Sequence, residues 1–402
     1  MRLTMKERKT VTKALAEQYR RASKGQKGVL LDQFVEATEY DRCYARRLLR
    51  NHGRQVRMTP KVVVEGDARM RTRRKGNVTY GPEVHQALVK VWEILDFISS
   101  KRLAAALPEV VPRLVALREL RIKKAVQRLL LQISPATIDR LLRPEREKHT
   151  VKGRAMTKPG TLLKHQVPIR TFSDWDDERP GFLEMDLVGH EGGRAEGDYC
   201  FTLDLTDVAT GWTELVAVQN KAQKWVFEGL QDLRKRLPFT VLGLDSDNGS
   251  EFINHHLVAY CKEQQITFTR SRPHRKNDNC YVEQKNWSVV RRFVGYGRYD
   301  TPEACSRLND LYQILRDYNN FFLPSMKLKE KIRDGAKVLK RYDTPQTPYQ
   351  RVLASRTVAT SVKQRLKRYY EQLNPAALHR QIRRLQKQLD KQAARRKQQE
   401  AA

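Results

Sequence analysis

The sequence contains no long apolar run. No stretch of about 18 consecutive apolar residues occurs in the chain of 402 residues, so neither a membrane-spanning helix nor a membrane partner is expected. The segment from Met1 to Glu7 lacks the apolar centre and the cleavage site of a secretory signal. The sequence therefore predicts a protein that stays inside the cell.

Cysteine is also scarce. The five cysteines are scattered, odd in number, and form no Cys-x-x-Cys pair. Secreted disulfide frameworks and structural zinc sites both depend on such pairs. Neither is expected, and a reducing compartment such as the cytoplasm is favoured.

Acidic residues are in deficit. The chain has 78 Lys and Arg against 46 Asp and Glu, a formal net charge of +32. A chain this basic attracts polyanions, and nucleic acid is the polyanion that remains once a membrane is set aside. Its length predicts several domains rather than one core.

Composition and periodicity divide the chain into six parts. These are a helix-turn-helix unit (1–56), a basic linker (57–81), a second helical, helix-turn-helix-like DNA-binding unit (82–145), a second basic linker (146–171), an α/β domain (172–300) and a helical C-terminal region with a basic tail (301–402). Strand patterns are first seen from Phe172 onward.

The first unit offers a recognition helix. Helical patterns cover about 4–22, 28–37 and 41–51, and in the last of these Arg42, Arg46 and Arg50 recur every four residues on one face. A basic face opposite an apolar one suits a helix that enters a DNA groove. The alternative is a solvated basic helix. In the second unit, Ser134-Pro135 opens a helix that carries Arg140, either a second recognition helix or plain helical packing.

The α/β domain follows a β-β-β-α-β-α-β-α order, which predicts a mixed five-stranded sheet of ribonuclease H type. Asp186 lies in the first strand, Asp247 follows the fourth strand, and Glu283 begins the last helix. Strands one and four are neighbours in this fold, so the acids converge. Hard carboxylate oxygens suit two Mg²⁺ ions, with Mn²⁺ as a substitute, and such a pair promotes phosphodiester transfer.

Neighbouring residues leave alternatives open. Glu184 shares a strand face with Asp186 and could replace it, and Asp245 could assist or compete with Asp247. Asn248 and Gly249 are expected to shape the turn beside the site rather than to bind metal.

Residues from about 180 to 295 resemble the integrase-type core of bacterial insertion-sequence DDE transposases and retroviral integrases. As in the D,D-35-E signature of that family, 35 residues lie between Asp247 and Glu283. The runs 246–252 and 276–287 are similar to the family's second and third sequence blocks. The resemblance implies that Asp186, Asp247 and Glu283 are the catalytic and metal-binding residues.

The resemblance further implies a bacterial, nucleoid-associated enzyme that acts on double-stranded DNA. It would hydrolyse a strand at each element end and join the freed 3′-hydroxyl to target DNA, as a homo-oligomer assembled on that DNA. Relatives carry a basic residue seven positions after the glutamate, where this chain has Val290, so Lys285 and Arg291 are the candidate DNA contacts of this helix. The rivals are a non-catalytic helix-turn-helix regulator and a ribonuclease H-like nuclease that does not join strands.

The C-terminal region is expected to be helical over about 300–335. Near the end, Leu378, Ile382, Leu385 and Leu389 form a short heptad seam. The seam could pair two protomers, or its helix could lie on DNA.

Overall fold

The computed structural model describes residues 3–59, 62–65, 79–148, 179–194, 196–246, 249, 251–252, 254–270, 280–334 and 337–401. The chain divides into two compact units, Met1–Thr79 and Tyr80–Ala402. The second unit holds the parts predicted as 82–145, 172–300 and 301–402, and their buried side chains belong to one continuous hydrophobic core. Among the described residues, no helix is both long enough and apolar enough to cross a membrane.

The first unit is a three-helix cluster followed by a hairpin. Its elements are α1 (Met5–Arg21), α2 (Lys24–Thr38), α3 (Arg42–Asn51), β1 (Gln55–Thr59) and β2 (Val62–Glu65). The three predicted helices are confirmed, and Asp41 caps α3 by accepting the N–H groups of Cys43 and Tyr44. The hairpin was not predicted, and placing the first strand after Phe172 was wrong. The β-branched run Val62-Val63-Val64 favours a strand.

Four helices open the second unit: α4 (Pro82–Ile94), α5 (Ser100–Ala116), α6 (Lys124–Gln132) and α7 (Pro135–Lys148). The Ser134 hydroxyl accepts the N–H of Thr137 at 3.3 Å, so the predicted start of α7 is confirmed. These helices do not stand apart from the rest of the unit. The Tyr318 hydroxyl donates to the carbonyl of Ile94 at 2.5 Å, for example, from a helix near the C-terminus.

A five-stranded mixed sheet with order β5-β4-β3-β6-β7 forms the centre of the second unit. Its strands are β3 (Phe182–Gly189), β4 (Phe201–Asp207), β5 (Thr213–Val218), β6 (Gly243–Ser246) and β7 (Thr267–Arg270), and α8 (Gln223–Arg236) and α9 (His255–Glu263) connect the last three. Strands β3, β4 and β5 are antiparallel neighbours, whereas β6 runs parallel to both β3 and β7. The predicted ribonuclease H-type arrangement is confirmed, including the adjacency of strands one and four.

The helix that carries Glu283 is continuous but irregular. It consists of α10 (Cys280–Lys285), a π-helical segment (Asn286–Arg291) and α11 (Arg292–Val294), and it stops where Gly295 adopts a φ of 78°. We call residues 280–294 the Glu283 helix. Short π-helical segments are rare and concentrate at functional sites.

The C-terminal region combines four helices with a hairpin: α12 (Pro302–Phe322), β8 (Leu328–Asp334), β9 (Lys337–Tyr342), α13 (Pro348–Ala354), α14 (Thr360–Gln372) and α15 (Pro375–Ala401). The predicted helix over 300–335 is therefore wrong beyond Phe322. Asp334 pairs with Lys337, and a glycine at the first of the two positions between them is a sequence signal for a hairpin.

The heptad seam of α15 packs inside its own chain. Leu378, Ile382 and Leu389 are buried in the shared core, and α15 lies against α12. The seam is therefore used within the protomer and is not free to pair two copies.

Candidate active site

Asp186 lies in β3, half-buried, with both carboxylate oxygens engaged. Its Oδ1 accepts the N–H of Leu187 at 2.8 Å, and its Oδ2 accepts the side-chain amide of Asn286 at 2.6 Å. Asn286 is the first residue of the π-helical segment. A polar contact therefore joins the central strand directly to the Glu283 helix.

Glu283 lies on the same side of that helix as Asn286. The two residues are three positions apart, so their Cβ atoms are about 5–6 Å apart on one helical face. Asn286 contacts Asp186, and the exposed Glu283 lies three residues before it on the same helix. The strand that carries Asp186 therefore lies next to the helix that carries Glu283.

The second predicted acid, Asp247, and the neighbouring Asn248 lie outside the described residues. The described part of β6 ends at Ser246, which pairs with Met185, the residue before Asp186. The Gly249 carbonyl accepts the N–H of Phe252 at 3.1 Å. Among the described residues, which do not include Asp247, no group of three or more His, Cys, Asp or Glu is arranged to hold a metal ion.

The two alternative acids are wholly buried and hold structural contacts. Glu184 Oε2 accepts the backbone N–H groups of Tyr281 and Val282 at 2.9 and 3.0 Å. Asp245 Oδ1 accepts the hydroxyl of Thr269 at 2.5 Å, across the β6–β7 pair.

Lys285 turns inward, toward Asp204. Only 8% of Lys285 and none of Asp204 is exposed. Burial lowers the pKa of Lys285 to about 8, and the nearby Asp204 opposes that shift. Burial raises the pKa of Asp204 to about 8; Lys285 opposes this rise, while Asp186 and Glu184 add to it. Lys285 is thus buried in the protein alone, and its contact with DNA stays a prediction.

Arg291 and Arg292 are also used for packing. Arg291 donates to the carbonyl of Gly189 at 2.9 Å and lies 4.9 Å from the ring centre of Tyr296. Arg292 pairs with the carboxylate of Asp96 and donates to its carbonyl. Together they tie the end of the Glu283 helix to the end of β3 and to the loop after α4.

The remaining predicted DNA contacts lie on surfaces. Arg42, Arg46 and Arg50 are exposed on α3, where Arg42 forms an ion pair with Asp32. Arg140 is exposed on α7 and donates to the hydroxyl of Thr137 at 3.0 Å.

Sequence reasoning did not single out Asn286 or the buried Asp204. Asn286 could have been found from its position three residues after Glu283, on the same helical face. Asp204 offered no comparable signal, because Lys285, whose charge acts on it, lies 81 residues further along the chain.

Comparison with known proteins defines the class of the central domain. Residues 176–276 match the integrase core domain family. Among solved structures, the catalytic core domain of BIV integrase is 20% identical, with a TM-score of 0.29 over 42% of this chain and 91% of that one. The HTLV-2 integrase catalytic core domain, solved with magnesium in a dimeric form, is 13% identical, with a TM-score of 0.28 over 36% and 90%.

A relative is similar over most of this chain. The uncharacterized protein y4rM of Sinorhizobium fredii is 40% identical over 350 residues, which span 87% of this chain and 96% of y4rM. This chain belongs to the same family as y4rM.

Proposed function

We propose that this protein is a DDE-type transposase that frees 3′-hydroxyl ends on a mobile element and joins them to target DNA. The observation that carries the proposal is the 2.6 Å contact between Asn286 and Asp186, because it joins the helix that carries Glu283 to the strand that carries Asp186. Asp247 completes the proposed set, since it directly follows the strand residue paired with Met185.

The described donors fit a hard divalent cation. Asp186 is half-buried and Glu283 is exposed, so both carboxylates are within reach of solvent and of a DNA phosphate. Carboxylate oxygens are the ligands that Mg²⁺ prefers, and Mn²⁺ accepts the same set. A pair of such ions, when bound, would stabilise the attacking and leaving oxygens of the phosphodiester.

The chain's own residues would orient these ligands. Asn286 donates to Oδ2 of Asp186 and the backbone of Leu187 donates to Oδ1, so the carboxylate is fixed before any ion or DNA arrives. Ligands held in this way by neighbouring hydrogen bonds bind metal more tightly than free ones do.

We propose that DNA contacts come from the basic surfaces. Arg42, Arg46 and Arg50 on α3 would enter a groove, and Arg140 would contact the backbone. A further basic surface lies on α15, along a groove of about 550 Å³ whose lining includes Arg383, Arg384, Lys387 and Lys391. Gln386 of the same helix donates to the carbonyl of Phe293 at 2.8 Å, so α15 contacts the end of the Glu283 helix.

Two element ends must meet for joining, so we propose a homo-oligomer that assembles on DNA in the bacterial cytoplasm. The interface between protomers would use surfaces other than the α15 seam, because that seam is already buried within the chain.

The test uses duplexes that carry the inverted repeats flanking the gene. With Mg²⁺, the full chain should nick these ends and join them to a second duplex. Asp247→Asn protein should bind the same ends with unchanged affinity but neither cut nor join. Cutting without joining would favour a nuclease. Binding without cutting, in Mg²⁺ and in Mn²⁺, would favour a regulator. Normal cutting by Asp247→Asn would show that the proposed site is wrong.

A further inference from the structure

We infer that Glu184 is a positioning residue: it fixes the first turn of the Glu283 helix and thereby sets where Glu283 stands. The inference rests on the proposed function for its meaning in catalysis, but its structural part can be measured without activity.

The contact is made at the start of the helix. Glu184 Oε2 accepts the N–H groups of Tyr281 and Val282, the two residues immediately before Glu283. N–H groups in a first turn lack acceptors within their own helix, and the helix dipole favours a negative charge there. Hydrogen bonds to an ionised acceptor are stronger than neutral ones. One buried carboxylate therefore satisfies two otherwise orphaned donors.

The helix depends on such an anchor. Its regular α-helical part, Cys280–Lys285, spans only six residues before the π-helical segment begins. The N–H groups of its first turn have no acceptors within the helix and need partners outside it. Glu184 anchors it before Glu283, and Asn286 anchors it after Glu283 through Asp186. The turn that presents Glu283 is thus tied to β3 at both ends.

The same contact separates the roles of two carboxylates on one strand. Glu184 is wholly buried and turned toward the helix backbone, whereas Asp186, two residues on, is half-buried. Glu184 is placed to orient a ligand, and Asp186 to be one.

The experiment compares Glu184→Gln, Glu184→Ala and a matched control, Glu214→Gln, in the full chain. Glu214 is another wholly buried carboxylate, on the edge strand β5, where it accepts from Trp212 and Arg316. Two quantities are measured: hydrogen exchange of peptides covering 280–294 without metal or DNA, and the Mg²⁺ concentration that gives half-maximal cleavage of an element end.

Glu184→Ala should lose protection in peptides covering 280–294 and need about 10–100-fold more Mg²⁺, the usual cost of removing a residue that orients a ligand. Glu184→Gln keeps an acceptor oxygen and should recover most of both. Glu214→Gln should change neither, whatever it does to thermal stability.

Unchanged exchange over 280–294 in Glu184→Ala would overturn the inference. So would a complete loss of cleavage in Glu184→Gln with normal exchange, because Glu184 would then be a metal ligand. If the wild type cuts no DNA, the proposed function fails, while the exchange measurement still decides the role of Glu184.

Discussion

Two basic helices of this molecule use their cations in opposite ways. On α3, Arg42, Arg46 and Arg50 stand in solvent while the apolar side packs into a small core. On the Glu283 helix, Lys285 faces Asp204 in the interior, and Arg291 donates to a backbone carbonyl of β3. The difference arises because α3 has one covered side, whereas the Glu283 helix contacts both the sheet and α15. A basic residue near an active site is therefore no guide to DNA contact until its burial is known.

The largest effect that would test this contrast is expected at Lys285. Lys285→Ala leaves a cavity where a side chain only 8% exposed was packed, and should lower the free energy of unfolding of the second unit by about 2 kcal/mol. Urea unfolding followed by tryptophan fluorescence measures it; all five tryptophans lie in that unit. Arg46→Ala is the matched control and should change stability by less than about 0.5 kcal/mol. If Lys285→Ala protein were as stable as the wild type but bound DNA more weakly, Lys285 would be a DNA contact and not a packing residue.

A second effect is expected in DNA binding by α3. Replacing both Arg46 and Arg50 with Ala should weaken binding and lower the slope of log affinity against log salt by about 2, because each arginine is expected to neutralise one phosphate. Fluorescence anisotropy over a salt series measures the slope. Arg291→Met, whose guanidinium is engaged within the protein, should leave the slope unchanged. Equal slopes for the wild type and the double variant would make α3 a merely solvated helix.

The smallest effect concerns His190, which neighbours Arg291. Burial lowers the pKa of His190 to about 3, and the Arg291 charge adds to that shift. In the unfolded chain His190 binds a proton near pH 6.5, whereas in the folded chain it stays neutral. The free energy of unfolding therefore falls as the pH drops below that value. Between pH 6.5 and 5.5 the loss should be about 1 kcal/mol.

His190→Gln removes this group, and the wild type should lose about 1 kcal/mol more than the variant over that interval. Paired urea titrations at the two pH values give the difference. Parallel losses in the two proteins would mean that His190 is protonated in the folded state.

Much of the central fold was predictable from the sequence, because the strands of the sheet are short apolar runs separated by helical patterns. That order of elements indicated a ribonuclease H-type fold, and the adjacency of β3 and β6 that this fold implies was confirmed. The β8–β9 hairpin was missed because its charged strands look helical in composition. The sequence could not show that the α15 seam packs within its own chain, because the helix that covers it, α12, is distant in the sequence.

The site was predictable only in outline. Periodicity places Glu184 and Asp186 on one face of β3 and cannot rank them. The Glu283 helix, which is distant in the sequence, distinguishes them. Glu184 accepts the N–H groups at the start of that helix, whereas Asp186 accepts the side-chain amide of Asn286. Likewise, nothing local shows that Lys285 is buried and that Glu283, two residues earlier, is exposed.

The most direct test of the central claim is a crystal structure of the full chain with Mn²⁺, using the anomalous signal of the ion. The account predicts Mn²⁺ at a coordination distance of about 2.1 Å from carboxylate oxygens of both Asp186 and Glu283. An ion bound by Glu184 instead of Asp186, or one that leaves Glu283 uncoordinated, would contradict it.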